Sequence, residues 1–238
     1  MGIPEGEVRQ GEGDGMSRAF TVIEAEQRSP AWFAARLGRL TGSRAGDMLA
    51  TIKSGEAAAR RDLRMQLVCE RLTGQLQEDA FVNVAMQRGI DCEPLAFAAY
   101  EALTGQMVQR TGFCAHSVHQ AGCSLDGHVG DFDGLIELKC PKSATHLRYL
   151  RAGTVPAEHL AQITHNLWIT GAAWCDFVSF DDRFPTNLHF FRARVDREPQ
   201  AIAAYEASAL RFLAEIETET SAVATMNDIG MVLREAVA

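Results

Sequence analysis

The chain has 238 residues, 47% of them hydrophobic and 23% charged, with a formal net charge of −8. It can bury a substantial core as one domain with extensions, and its ordinary composition excludes a disordered or collagen-like chain. No apolar run is long enough to span a bilayer, no basic-then-apolar leader marks secretion, and the six cysteines form no Cys-x-x-Cys pair, so a cytoplasmic setting with reduced thiols is expected.

Residues 1–16 are Gly- and Glu-rich without periodicity and read as a disordered extension. Ser29 and Pro30 suit the N-cap and first position of a helix. Thr41-Gly-Ser43 suits a turn into a second helix. A third helix is expected over 57–74, closing on Gly74, and a fourth from about Asn83 to Leu103, closing on Gly105. Three strands follow, at about 107–114, 119–126 and 134–140. Pro156 opens a helix to about Thr170 with Leu160, Ile163 and Leu167 as its apolar stripe and Gln162, His165 and Asn166 off it. Ala173–Ser179 and Leu188–Val195 read as strands around the turn cluster 181–185. A last helix is expected over 199–217, with Ile202, Tyr205, Leu210, Leu213 and Ile216 on or near one side.

The acidity is confined to the ends. Residues 1–16 carry four acids against one base, and residues 198–238 seven against two, which leaves 17–197 with 20 of each. The middle can therefore still present a cationic face to nucleic acid, from Arg36, Arg39, Arg44, Lys53, Arg60, Arg61 and Arg64 in one stretch and Lys142, Arg148 and Arg151 in another.

The densest chemical signal is Cys123 to Pro141. Asp126 precedes a Gly/Asp-rich turn, and the apolar strand after the turn carries Glu137 and Lys139. Strand side chains alternate, so these two share a face while Ile136, Leu138 and Cys140 point the other way. Charges among such apolar neighbours need compensation. A divalent cation met by Asp126, Glu137 and the Leu138 carbonyl would supply it, with Lys139 placed to orient or deprotonate a water aimed at a phosphodiester. A Glu-x-Lys strand alone is more often a solvated face. The group Cys114, His116, His119 and Cys123 is a metal-like alternative, but its spacing is tighter than common zinc modules.

Four blocks together resemble the lambda-exonuclease and YqaJ-type viral recombinase family of the PD-(D/E)XK nuclease superfamily. They are Ala31 to Ser43, Arg88-Gly-Ile-Asp-Cys-Glu93, Ser124-Leu-Asp-Gly through Pro141, and Ala161-Gln162 leading to Leu167-Trp-Ile-Thr170. The resemblance implies an α/β (α+β) fold, a restriction-endonuclease-like core with a central mixed β-sheet flanked by helices over 17–197, and a C-terminal helical extension over 198–238 packed on it. It implies a Mg²⁺-dependent 5′-to-3′ double-strand DNA exonuclease that releases 5′-mononucleotides and leaves a 3′ overhang for recombination. Two ions are implied, with Mn²⁺ able to substitute.

By the same resemblance Asp126, Glu137, Leu138 and Glu93 are metal ligands, Lys139 activates water, and Gln162 holds the site. Arg36, Ser43 and Ser124 form a pocket for a terminal 5′-phosphate, which a forked guanidinium and hydroxyls suit. Lys53 falls where the family has a basic residue that probes the duplex, and Met86 where it has an apolar wedge. Leu125 stands where the motif has proline. A homotrimeric ring around duplex DNA, a single-strand annealing partner and a bacterial or phage-infected host cell are implied. Another PD-(D/E)XK deoxyribonuclease, an endonuclease or RecB-like, and a non-catalytic DNA-binding protein on the same fold are the alternatives.

Overall fold

In the computed structural model the backbone is described for residues 18–77 and 84–235, and side chains for 18–77 and 87–226. The expectation for residues 1–16 lies outside them. Two four-stranded mixed sheets carry the architecture. The first is built from β1 (Phe20–Ile23), β2 (Leu40–Thr41), β3 (Phe113–His116) and β4 (Ala121–Ser124), in the order β1-β3-β4-β2. The second runs in chain order: β5 (Gly127–Val129), β6 (Gly134–Lys139), β7 (Trp174–Phe180) and β8 (Phe190–Asp196). Within it β6 and β7 are parallel and the other pairs antiparallel.

The expected mixed sheet flanked by helices is this second sheet. The strand expected over 119–126 is β4 alone, and β5 forms where the sequence suggested a turn, because the chain passes from one sheet to the other at Leu125–Asp126. The strand expected over 107–114 begins only at Phe113, and Gln109 contributes an isolated bridge to His128. β1 and the helix over Ser143–Ala152 were not expected from the sequence; β1 has only four residues, too few to show a period.

Seven α-helices occur among the described residues. α1 (Pro30–Arg36) starts as its sequence dictates: the Ser29 hydroxyl accepts the Trp32 amide at 3.2 Å and Pro30 occupies the first turn. A single 3-10 turn, Gly42–Arg44, leads into α2 (Ala45–Met48). α3 (Ala58–Thr73) ends on Gly74 at φ 66°, which a Cβ would disfavour. α4 (Val84–Thr104), α5 (Ser143–Ala152), α6 (Ala157–Thr170) and α7 (Pro199–Glu235) complete the set. α7 runs 18 residues beyond the expected end at 217, since no Gly or Pro interrupts it before Gly230.

The two faces of the second sheet are buried differently. Register places Glu137, Lys139, Phe177 and Ser179 on one face and Ile136, Leu138, Asp176 and Val178 on the other. α4 covers the second face, where Ala96, Phe97 and Tyr100 pack on Ile136, Leu138 and Val178. α6 and α7 belong to the core on the first face, which Leu135 and Phe177 share with Ile163, Leu167, Tyr205 and Phe212. Each large side chain so buried contributes about 1.5–3 kcal/mol.

A central strand covered on both sides leaves no solvated face for Glu137, and it is 1% exposed. α6 is covered likewise by the first sheet and by α7. His165 and Asn166 are therefore buried although they lie off the apolar stripe, while Leu160 on that stripe is exposed.

A buried charge ties α4 to the sheet. Asp176, on β7, accepts the Tyr100 hydroxyl at 2.8 Å and a two-pronged contact from Arg194, both prongs at 2.8 Å. With these partners its desolvation is offset. Tyr100 lies two helical turns after Glu93, so the same contact fixes how α4 presents that carboxylate.

Candidate active site

The site forms where the β5–β6 ladder runs out. Pairing ends at Gly127 opposite Ile136, and the next amide on that edge, Leu138 N–H, is taken by the Asp126 carboxylate at 2.7 Å. A side chain thus completes a ladder that the backbone leaves open. The N–H and C=O of one strand residue point to the same edge, so the Leu138 carbonyl faces the Asp126 side as well.

Glu137 is gripped from several sides. Lys139 Nζ lies 2.5 Å from Oε1, Gln162 Nε2 donates to Oε2 at 2.9 Å, and Asn166 Nδ2 approaches Oε2 at 3.4 Å. Gln162 and Asn166 are four apart on α6, so they present their amides from one face of the helix. Glu93, from α4 on the opposite side of the sheet, pairs with Arg110 at 3.4 Å.

Burial pushes the Glu137 carboxyl up to about 7, against the opposing pull of Lys139, and nearby Asp126 adds to the rise. Burial and then the charge of Asp126 raise Glu93 too. Burial draws the Lys139 ammonium down, but Glu137, Asp126 and Glu93 outweigh it and hold its pKa above the ordinary lysine value. The Asp126 charge raises both Glu137 and Glu93, and one ammonium feels all three carboxylates, a concentration of negative charge that a divalent cation would relieve. Among the described residues no three Asp, Glu, His or Cys side chains form a closed cage. Asp126, Glu137 and a backbone carbonyl, with Glu93 behind them, suit a cation that keeps several of its waters.

The residues expected to hold a 5′-phosphate are linked through Trp32, which the sequence did not single out. Its indole N–H donates to Ser124 Oγ at 2.8 Å, and the Arg36 guanidinium lies 4.3 Å from its ring centroid. Ser43 lies in the 3-10 turn with its hydroxyl 3.4 Å from that of Thr41. Its neighbour Gly42 packs so closely on α6 that a Cβ there would come 2.4 Å from Asn166 Oδ1. The phosphate-pocket turn and the carboxylate clamp therefore touch at Asn166. An asparagine buried in an otherwise apolar helix stretch was the available signal for it, and its position off the stripe concealed it.

Lys53 is exposed on the loop between α2 and α3, and no described contact joins it to the carboxylates. The side chain of Met86 lies outside the described residues. In the Cys114–Cys123 group both cysteines are buried opposite each other on β3 and β4, and His116 Nδ1 accepts the Val118 and His119 amides at 3.1 Å. That nitrogen is engaged in shaping a turn.

Beside the carboxylates opens a cleft of about 450 Å³, lined by Glu93, Leu138, Lys139, Tyr149 and His159 among others. The Tyr149 hydroxyl sits 3.1 Å from His159 Nε2 and 3.3 Å from Glu158 Oε1, and the His159 ring stacks on Phe177 at 5.0 Å. Burial, and then the charge of Lys139, press the His159 imidazole down to about 4. It is neutral at neutral pH.

Residues 31–173 match the YqaJ-like viral recombinase domain. Among solved structures the chain is similar to LHK-Exo in complex with dAMP, with 39% identity and a TM-score of 0.77 over 85% of this chain and 100% of that one. An alkaline exonuclease structure, LHK-Exo from Laribacter hongkongensis, gives 39% identity and 0.76 over 84% and 98%. A phage related exonuclease from Haemophilus somnus 129PT, 13% identical with a TM-score of 0.59 over 78% and 96%, shares the fold. No curated protein sequence matches the chain.

Proposed function

The chain belongs to the YqaJ-like viral recombinase family, and from that premise we propose that it is a Mg²⁺-dependent exonuclease that degrades one strand of duplex DNA from its 5′ end. The observation that carries this reading is the contact of Lys139 Nζ with the buried Glu137 carboxylate at 2.5 Å, beside Asp126 at the end of the ladder. Asp126, Glu137 and the Leu138 carbonyl would hold Mg²⁺, with Glu93 in support, and Mn²⁺ has the same oxygen preference. When bound, the metal neutralises charge on the phosphodiester and lowers the pKa of its water.

The protein's own groups divide the remaining work. Gln162 fixes one oxygen of Glu137 and so sets the plane of its carboxylate. Lys139, held as an ammonium by three carboxylates, orients the attacking water and offsets charge on the phosphate. It can take a proton only once those carboxylates are neutralised. Arg36, Ser43 and Ser124 receive the terminal 5′-phosphate, with Trp32 bracing both Arg36 and Ser124. A neighbour at 39% identity crystallised with dAMP supports a deoxynucleoside 5′-monophosphate as the product.

Family resemblance further supports a homotrimeric ring around duplex DNA, a single-strand annealing partner and action in the cytoplasm of a bacterial or phage-infected cell. No described helix is long and apolar enough to cross a membrane. The core that α7 shares with α6 and the sheet through Ile202, Tyr205, Phe212 and Ile216 supports a single unit in which the C-terminal extension packs on the nuclease core.

The test is digestion of end-labelled linear duplex in Mg²⁺, with and without a 5′-phosphate. Mononucleotides released from the 5′-phosphorylated strand are expected. Cutting of closed circular DNA would instead indicate an endonuclease, and no cleavage in Mg²⁺ or Mn²⁺ a binding protein.

A further inference from the structure

Arg28 is held in an unusual backbone conformation at the mouth of the cleft beside Lys139. Its φ is +70°, and Phe132 is the one other described non-glycine residue with positive φ. The Ser29 amide bonds the Glu26 carbonyl at 3.0 Å, so Arg28 is the third residue of a four-residue turn. That position with positive φ ordinarily takes Gly or Asn, because a Cβ crowds the backbone there. Gln27 anchors the turn by donating to the Leu125 carbonyl at 3.0 Å, next to Asp126.

The turn places an arginine where backbone sterics favour a glycine, and it aims that arginine into the cleft with Glu93, Lys139, Tyr149 and His159. Strain of this kind gathers where a side chain is needed at one place. The Arg28 charge favours the ionised form of Glu93, yet the cation that pairs with Glu93 is Arg110. The cleft volume of about 450 Å³ lies in the range of small-molecule sites, about 300–1,000 Å³. It combines two cations with two rings, one of them a neutral imidazole braced by Tyr149 and Phe177.

We propose that this cleft is a subsite for a nucleotide phosphate, with Arg28 as the cation that holds it. The inference rests on the nuclease reading and adds to the carboxylate site, whose Glu93, Leu138 and Lys139 line the same cleft, a residue that lies outside the four sequence blocks. The phosphate belongs either to the mononucleotide just released or to a phosphodiester of the strand being degraded. Both present the same anion to a guanidinium.

The experiment compares the full-length protein with Arg28→Gly, Arg28→Ala and Arg28→Lys. Glycine removes the charge and also suits the turn, so this variant folds at least as well as the parent. Two quantities are measured in Mg²⁺: direct equilibrium binding of dAMP by calorimetry, and KM for 5′-phosphorylated linear duplex. Arg28→Gly is expected to weaken one of them about tenfold, the loss of one charge-assisted contact, and Arg28→Lys to recover part of it. Weaker dAMP binding assigns the released nucleotide; a raised KM with dAMP binding intact assigns the strand. Parental values of both in folded Arg28→Gly and Arg28→Ala would overturn the proposal. Digestion by the parent protein is scored in the same series, so failure of the nuclease reading shows separately, as a parent that does not cleave.

Discussion

Asn166 places its Nδ2 3.4 Å from Glu137 Oε2, while its Oδ1 faces the α-carbon of Gly42. One buried amide thus spans the strand that bears the metal-binding carboxylate and the turn that bears Ser43. Among the described residues no donor meets that Oδ1, so the amide is held by packing and by Glu137. Asn166→Ala is expected to loosen Glu137 and lower kcat/KM about tenfold. It is also expected to narrow the ratio between 5′-phosphorylated and 5′-hydroxyl ends. A loss of rate with that ratio unchanged would mean that the amide serves the carboxylate alone.

Lys139 stands against Glu137 at 2.5 Å. Lys139→Gln keeps a polar, hydrogen-bonding end on a shorter stem and loses the charge. It is expected to lower kcat by about 10²- to 10⁴-fold, the range for a positioned proton-handling group, with circular dichroism unchanged. Asp126→Asn retains an acceptor for the Leu138 amide yet removes the negative charge, and it is expected to abolish cleavage at millimolar Mg²⁺. Cleavage by either variant at the parental rate would remove the basis for the catalytic assignment.

The Trp32 indole separates two ways of losing the phosphate pocket. Trp32→Phe keeps a ring beneath the Arg36 guanidinium and removes the N–H that meets Ser124. Arg36→Ala removes the cation itself. Phosphate preference is expected to fall several-fold in Trp32→Phe, the worth of one neutral hydrogen bond, and by more in Arg36→Ala, the worth of a charge-assisted pair. Competition between phosphorylated and unphosphorylated duplexes reads both. A phosphate preference unchanged in Trp32→Phe would show that the pocket does not need the indole N–H to Ser124.

Much of this was legible before any coordinates. Asp126, Glu137 and Lys139 stood out because two charges on an apolar strand need a reason, and the structure brings them together. Helix limits set by Ser29–Pro30, Gly74 and Pro156 came out within a residue or two, because those caps act through local sterics and hydrogen bonding. What did not show depends on neighbours distant in sequence. The extra strand β5 and the change of sheet at Leu125–Asp126 reflect pairing in two different sheets, which also take in β2 and β7, far along the chain. Asn166 and His165 read only as lying off the apolar stripe of α6, and their burial comes from the first sheet and α7, which cover that side as well. Arg28 carries no local mark, since its interest lies in a backbone angle.

Acid stability tests the buried titratable groups against one another. His165 is fully buried, with Nδ1 2.7 Å from the Tyr205 hydroxyl and Nε2 2.9 Å from the Gly122 carbonyl. Burial presses its imidazole down to about 4, and His159 is depressed likewise to about 4. Unfolded histidines titrate near 6.5, so between about pH 6.5 and 4 the unfolded chain binds more protons than the folded one. Stability present above pH 6.5 is therefore lost as pH falls through this window, by about 3 kcal/mol for His165 alone. Glu137 acts in the opposite sense. Its carboxyl is raised to about 7, so its contribution is fully present below about pH 4.5 and lost as pH rises to 7. Burial depresses His116 and His128 as well, so without metal the four depressed histidines outnumber the two raised carboxyls, Glu137 and Glu93, and thermal midpoints are expected to fall on acidification from pH 7 to 5. Added Mg²⁺ competes with the proton on Glu137, so it is expected to raise the midpoint more at pH 7.5 than at pH 5.5. His165→Gln is expected to lower the midpoint at pH 7 and flatten the acid slope. A slope that survives this change undiminished would place the acid-sensitive group elsewhere.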